Sequence, residues 1–195
     1  MPDADALDSA ADALAAGDLV VYPTETVYGL GADALDPDAV ARVFETKGRD
    51  RSKPISVAVP SVGAALDYTS PTAAERRFMH EFLPGPVTVV VDRQESVPDV
   101  LTAGSDRVGV RVPDHDLALA LLDRFAPITA TSANVSGTGS VRDLPALSAE
   151  IREAAAVVLD GGETPGGGST VVDVTAGEIV REGALADEIR DWLAE

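Results

Sequence analysis

Apolar and polar positions alternate between two periods along this chain. Leu7, Ala11 and Leu14 recur at helical spacing and Gly17 follows as a stop, which predicts an amphipathic helix over Asp3 to Ala16. Leu19-Val20-Val21-Tyr22 is a short apolar run bounded by Pro23-Thr24-Glu25-Thr26, and reads as a buried strand broken into a loop. Asp36 and Pro37 mark the start of a second helix, with Val40, Val43 and Phe44 on one face and an end near Lys47-Gly48. Strands are expected at Ile55 to Val59, Val87 to Val91, Val108 to Val112, Ile128 to Ala130, Val157 to Asp160, Thr170 to Val174 and Glu178 to Arg181. Helices are expected from Ser70-Pro71 to Phe82, over Asp116 to Phe125, over Ala149 to Ala155 and over Leu185 to Leu193.

Strands and helices mix throughout, which predicts α/β layers rather than segregated halves. The chain has 195 residues, no internal repeat and no long linker, so residues 1–195 read as one domain. The glycine-rich stretch Gly161 to Gly168 has strands on both sides and reads as a loop inside the fold.

Composition narrows the picture. Hydrophobic residues make up 45% but aromatics only 4%, so the core is expected to be Ala, Val and Leu packing. No run of about 18 apolar residues exists to span a membrane, and the N-terminal residues lack the basic and apolar regions of a signal peptide. Cysteine is absent, which removes disulfides, a thiolate nucleophile and a Cys-based metal site. The expected compartment is the cytoplasm. The net charge of −18 argues against a broad nucleic-acid-binding surface, because phosphate contacts need Lys and Arg. The acidity is diffuse and lysine is scarce, a balance that fits a chain adapted to high salt, or an ordinary acidic cytosolic protein.

Against that background the positive charge is unevenly placed. Lys47, Arg49, Arg51 and Lys53 fall within seven residues and include both lysines of the chain. In an extended segment their alternate spacing puts all four on one face, a grouping suited to a polyanion such as a nucleoside triphosphate. A cationic helix C-terminus accounts for Lys47 and Arg49, but not for Arg51 and Lys53.

Weaker signals leave alternatives open. Thr131-Ser132-Ala133-Asn134-Val135-Ser136-Gly137 follows a buried strand, where α/β folds bind ligands, and is equally a turn rich in Ser, Asn and Gly. Gly166-Gly167-Gly168-Ser169-Thr170 lets backbone approach a ligand closely, as any flexible turn does; without a Lys after the glycines it is not a P-loop. Gly29-Leu30-Gly31 lacks the third glycine of a dinucleotide fingerprint. Arg107, Arg111 and Arg181 sit within or at the ends of apolar strands, as ion-pair partners or as the wall of one cavity. His80 and His115 are too few and too far apart for a metal site; His80 reads as a surface or packing residue and His115 as a helix cap. Asp116 and Ser132 suggest a hydrolase triad on paper only, because no G-x-S-x-G elbow is present.

Taken together, these segments resemble the YrdC/TsaC family of threonylcarbamoyl-adenylate synthases. The resemblance runs from the segment beginning Leu19-Val20-Val21-Tyr22-Pro23-Thr24-Glu25-Thr26 to Arg181-Glu182-Gly183, through Lys47-Gly48-Arg49, Pro84-Gly85-Pro86-Val87-Thr88, Val108-Gly109-Val110-Arg111-Val112-Pro113, Ser132-Ala133-Asn134 and Ser169-Thr170-Val171-Val172-Asp173. It implies an α/β fold with a twisted mixed β-sheet, flanked by helices, around a deep, positively charged cavity. It also implies formation of threonylcarbamoyl-AMP and pyrophosphate from ATP, L-threonine and bicarbonate, for modification of tRNA. By matching position, Thr26, Arg111, Ala130 and Ser169 would surround threonine. Arg49, Lys53, Ser132, Asn134, Ser140 and Arg181 would hold ATP, and Lys47 and Arg49 would carry the catalytic charge. Mg²⁺ would arrive with ATP rather than at a dedicated metal site. Arg111 is suited to a bidentate grip on the threonine carboxylate.

Asp50, Ala58, Lys53 and Thr131 depart from the pattern, Ala58 standing where some relatives place a His near threonine. A single-domain form is expected, without the added C-terminal domain of longer relatives. Downstream proteins would transfer the product to tRNA, and direct RNA contact is left open. The same resemblance admits an RNA-binding or ribosome-associated protein, or a carbamoyl-transfer paralogue; the zinc-finger and acylphosphatase segments of the latter are missing here.

Overall fold

The computed structural model describes residues 4–194. Its first helix, α1, spans Ala4–Ala15 and buries Leu7, Ala10 and Leu14; Asp3, the expected first residue, lies outside the described residues. The strand β1 (Leu19–Tyr22) follows, buried at every position. Helix α2 (Pro37–Lys47) starts where Asp36 accepts from the Asp38 amide at 2.9 Å. It ends at Gly48, whose φ of 57° places it in the left-handed region that glycine enters without a side-chain penalty. Helix α4 (Ala73–Phe82) carries a full capping box, with Thr72 and Glu75 satisfying each other's backbone amides. Its start lies at Thr72 rather than at Ser70-Pro71, because only Thr72 has a glutamate three residues on.

The strands form two sheets. A three-stranded sheet has the order β2-β1-β7, with β2 at Gly29–Gly31 and β7 at Ala155–Val158. A six-stranded sheet has the order β6-β3-β5-β4-β8-β9. Its strands are β3 (Ser56–Ala58), β4 (Val87–Asp92), β5 (Arg107–Arg111), β6 (Ile128–Ala130), β8 (Thr170–Asp173) and β9 (Glu178–Arg181). Both are mixed. The pairs β1/β7, β3/β5 and β4/β8 are parallel, and β1/β2, β3/β6, β4/β5 and β8/β9 antiparallel.

The expected single sheet is therefore split. β2 runs along β6 through scattered bonds, Leu30 to Thr131 at 2.8 Å and Thr129 to Ala32 at 2.9 Å, rather than a continuous ladder. The short helices α3 (Val62–Ala65) and α5 (Asp99–Thr102) are additions to the expected elements. The remaining helices are α6 (Asp116–Leu122), α7 (Ala149–Ala154) and α8 (Ala186–Leu193).

Two apolar clusters hold these layers. The larger packs Val40, Val43 and Phe44 of α2 and Phe78 and Met79 of α4 against Val57, Val89, Val110 and Val172 of the six-stranded sheet. The smaller packs α1 and α6 over Val20, Tyr22, Ala58 and Ile128. The few aromatics are concentrated inside: Tyr22, Tyr28, Phe44 and Phe78 are all buried. Ala58 belongs to this second cluster and is itself buried. Loops 23–28, 131–140 and 161–169 contribute residues to the wall of one cavity, together with residues of both sheets.

Candidate functional site

Three loops reach this cavity because each is fastened at a specific point. The loop after β1 is closed by Thr24, whose Oγ1 donates to the Val27 carbonyl at 2.7 Å and lies 3.0 Å from the Thr26 hydroxyl. The loop after β6 is pinned to β2 by the Ala133 amide, which donates to Tyr28 at 2.8 Å. The glycine-rich loop is tied to the first, the Gly166 amide donating to the Thr26 carbonyl at 2.7 Å.

The loops enclose a cavity of about 510 Å³ whose charged wall residues are Arg49, Arg107, Arg111 and Arg181. Hydroxyls of Thr26, Ser56, Thr88, Ser132, Ser140 and Ser169 also line it. A second cavity of about 180 Å³ is lined by Lys47, Arg49, Asp50, Lys53, Ser132, Asn134, Ser136 and Gly137. Arg49 and Ser132 belong to both walls, so the two spaces meet across them.

The structure gathers the anticipated residues around these two spaces. Thr26, Arg111, Ala130, Ser169, Ser140 and Arg181 lie on the larger, and Lys47, Lys53 and Asn134 on the smaller. The extended, one-faced arrangement of the four cations does not occur. Lys47 ends a helix and Gly48 turns the chain, so the segment is a turn rather than a strand. Arg51 points away and pairs with Glu45 at 3.1 Å on the exposed surface.

Lys47 is buried, and its Nζ donates to the backbone carbonyls of Ser132 and, at 2.7 Å, Asn134. Burial, and secondarily the charge of Arg49, lower its pKa to about 8. Asn134 turns its Nδ2 back onto Val135 at 2.8 Å and Thr138 at 2.9 Å, and its Oδ1 is enclosed without a protein partner. Both residues thus shape the loop that carries Ser132.

The four arginines divide into two pairs by their partners. Arg107 meets Glu75 at 2.8 Å and Asp173 at 3.3 Å, and Arg111 meets Glu25 at 2.8 Å. Arg49 and Arg181 are held instead by backbone carbonyls, Arg49 by Lys53 at 3.0 Å and Pro54 at 2.9 Å, Arg181 by Ser169 at 2.9 Å. Burial lowers the pKa of both; Arg181 opposes Arg49, and Arg111 opposes Arg181. Cations of this kind gain from an anion between them.

The bidentate grip expected of Arg111 is not free. Its Nη2 donates to both Glu25 Oε1 and Thr26 Oγ1 at 2.8 Å, which uses both hydrogens of that nitrogen. Reasoning from sequence missed Glu25, and also Ser56, Thr88 and Gly109 of the cavity floor. For Ser56 and Thr88 the available signal was a hydroxyl inside an otherwise apolar strand.

The histidines stay outside this site. His80 is exposed on α4. His115 occupies the cap position of α6 but makes no capping hydrogen bond. Among the described residues no group of three or more His, Cys, Asp or Glu is arranged to hold a metal ion, and no helix is long and apolar enough to cross a membrane.

A mixed α/β fold whose loops bring cations without salt bridges among the described residues beside a hydroxyl-lined cavity has the character of a binding site for small anionic ligands, and comparison with known proteins gives the family. The family model Sua5_yciO_yrdC, described as "Telomere recombination", matches residues 12–183. The chain belongs to the Sua5/YciO/YrdC family. It is 41% identical over 186 residues to the threonylcarbamoyl-AMP synthase of Pyrococcus abyssi, covering 92% of this chain and 54% of that one. It is 38% identical over 185 residues to a putative threonylcarbamoyl-AMP synthase of Mycobacterium tuberculosis, covering 92% and 85%. Among solved structures, P. abyssi Sua5 complexed with L-threonine superposes with a TM-score of 0.88 at 39% identity, covering 97% of this chain and 57% of that one. The chain thus spans about half the length of the Pyrococcus relatives it matches.

Proposed function

We propose that this chain is a threonylcarbamoyl-AMP synthase acting in the cytoplasm as one catalytic domain. It would take ATP, L-threonine and bicarbonate and feed proteins that transfer the product to tRNA. The observation that carries this reading is the contact between two chemically different spaces. One is small and bordered by the cations Lys47, Arg49 and Lys53, none of them in a salt bridge among the described residues, with Asp50 as the one acid in its wall; the other is larger, with hydroxyls and the neutralised Arg111. A polyphosphate suits the first and an amino acid the second, with Arg49 and Ser132 at the junction where the α-phosphate would lie. Family membership and the threonine-bound relative support the assignment.

In this reading the threonine amine attacks bicarbonate, forming an N–C bond and releasing water to give a carbamate. A carbamate oxygen then attacks the α-phosphorus of ATP. The P–O bond to the β-phosphate breaks, and pyrophosphate leaves with Mg²⁺ brought in by ATP. Arg49, Lys53 and Arg181 offset charge on the departing phosphates, while Lys47 and Asn134 hold the Ser132 loop in place. Thr26, Ala130 and Ser169 border the threonine side and Ser140 the nucleotide side. The remainder of the rate enhancement is positioning of two reactants.

The test is pyrophosphate release by purified protein with Mg²⁺ and each component omitted in turn. Release that needs ATP, threonine and bicarbonate together, without RNA, is expected. ATP turnover indifferent to threonine, or dependent on added RNA, overturns the assignment.

A further inference from the structure

We propose that Glu25 is a positioning residue for the amino-acid substrate, acting through Arg111 and not by touching the ligand; this rests on the function proposed above. Glu25 lies outside the cavity wall, whereas its neighbour Thr26 and its partner Arg111 are in it. The pair is nearly sealed, with 12% of the Arg111 and 13% of the Glu25 side chain exposed. Glu25 Oε1 and Thr26 Oγ1 together take both hydrogens of Arg111 Nη2, while Arg111 Nε and Glu25 Oε2 are enclosed without partners. That leaves Nη1, which makes no hydrogen bond and is not among the enclosed unpaired atoms, as the guanidinium donor toward the cavity. One acid thus fixes which edge of Arg111 the ligand meets.

The charge argument points the same way. Arg49 and Arg181 make no salt bridge among the described residues, Asp50 acting on Arg49 only from beyond ion-pair distance, and both suit a polyanion. An amino acid is a zwitterion, and an unopposed guanidinium that attracts its carboxylate also repels its ammonium. Glu25 removes the net charge at this end of the cavity while leaving a directional donor in place. The larger cavity is thereby polarised: Arg49 and the nearby Arg181 lie toward its junction with the smaller cavity, where the phosphates would enter, and the neutralised Arg111 lies where threonine would sit.

The experiment is a double-mutant cycle read as kcat/KM for threonine, which the initial slope of rate against threonine concentration gives even when binding is weak. Glu25→Gln keeps the size and an acceptor but removes the charge. It is expected to lower kcat/KM for threonine about tenfold and to leave kcat/KM for ATP within about twofold. In an Arg111→Lys background the same substitution should change the threonine value by less than about twofold, because the group it acts through is gone. Glu25→Asp, which keeps the charge but withdraws it by one methylene, is the second variant should Gln disturb folding, and the same non-additivity is expected of it. Equal losses in both backgrounds, or no loss in either, overturn the proposal while leaving the synthase assignment intact. A wild-type rate that does not depend on threonine overturns both.

Discussion

Lys47 reaches across from the end of α2 to the backbone carbonyl of Asn134 at 2.7 Å, while burial, and secondarily the charge of Arg49, disfavour its protonated form. A cation so placed fastens the Ser132 loop and raises the local potential together. Lys47→Met removes both effects and leaves the Ser132 and Asn134 carbonyls unpaired. Each lost charge-assisted bond is worth about 1.5–3 kcal/mol. ATP binding should weaken about ten- to a hundredfold and the thermal midpoint should fall, as calorimetric titration and a melting curve would show. Retained ATP affinity would mean that Lys47 only fastens the loop.

The same lysine sets a pH dependence. Its folded pKa of about 8 lies below the ordinary 10.5, so between these values the unfolded chain holds a proton that the folded chain has released. This group's contribution to stability therefore rises with pH across that window. Its contribution to ATP binding runs the other way, since the charge is lost as pH rises through about 8. ATP affinity should fall from pH 7 to pH 9, and the fall should shrink in Lys47→Met.

Arg49, Lys53 and Arg51 are close in sequence yet differ in placement. Arg49→Ala and Lys53→Ala remove cations from the cavity walls and should each weaken ATP binding about tenfold or more. Arg51→Ala removes only an exposed pair with Glu45 and should change it by less than about twofold. Equal effects from all three would indicate a diffuse electrostatic patch in place of a shaped site.

How far the sequence revealed this site depends on which interactions are local. The cap at Asp36, the stop at Gly48 and the apolar strand runs are local signals, and they place α2 and most strands within a residue or two. β2 was not legible: Gly29-Leu30-Gly31 has no strand-forming pattern, and its extended form comes from pairing with β1 and from Tyr22, which packs against both glycines. The one-faced reading of the four cations failed because helix α2 continues through Lys47 and the chain turns at Gly48. Glu25 was illegible because its role depends on Arg111, which is remote in sequence and brought near only by the folded sheet.

Gly109 forms the floor of the larger cavity by the absence of a side chain. A Cβ there would lie 2.3 Å from Ser56 Oγ and 2.9 Å from Thr88 Cγ2, on two flanking strands. Gly109→Ala should cost about 1–3 kcal/mol by overpacking and should weaken ligand binding in the larger cavity. Adding Ser56→Ala removes the nearest clashing atom and should recover part of the lost thermal midpoint. Lack of recovery would place the strain at Thr88 or in the backbone.

Two electrostatic effects oppose each other in the dependence of stability on salt. With a net charge of −18, the chain repels itself. Added salt screens that repulsion over a Debye length of about 10 Å at 0.1 M. It also weakens attractive pairs, and several of these are exposed: Arg42 with Asp18, Arg51 with Glu45, Arg142 with Glu163. Exposed pairs contribute little individually, about 0–1 kcal/mol, whereas the excess of acid acts over the whole surface, so repulsion should dominate. The thermal midpoint should rise clearly between dilute buffer and molar KCl. ATP binding offers an independent check, because ATP is itself an anion approaching an acidic protein through a cationic opening. Salt relieves the long-range repulsion but weakens the short-range attraction to Arg49 and Lys53, so affinity should change far less with salt than stability does. A flat melting response would remove the adaptation to high salt, while a steep loss of ATP affinity over the same range would show that local attraction outweighs the protein's overall charge.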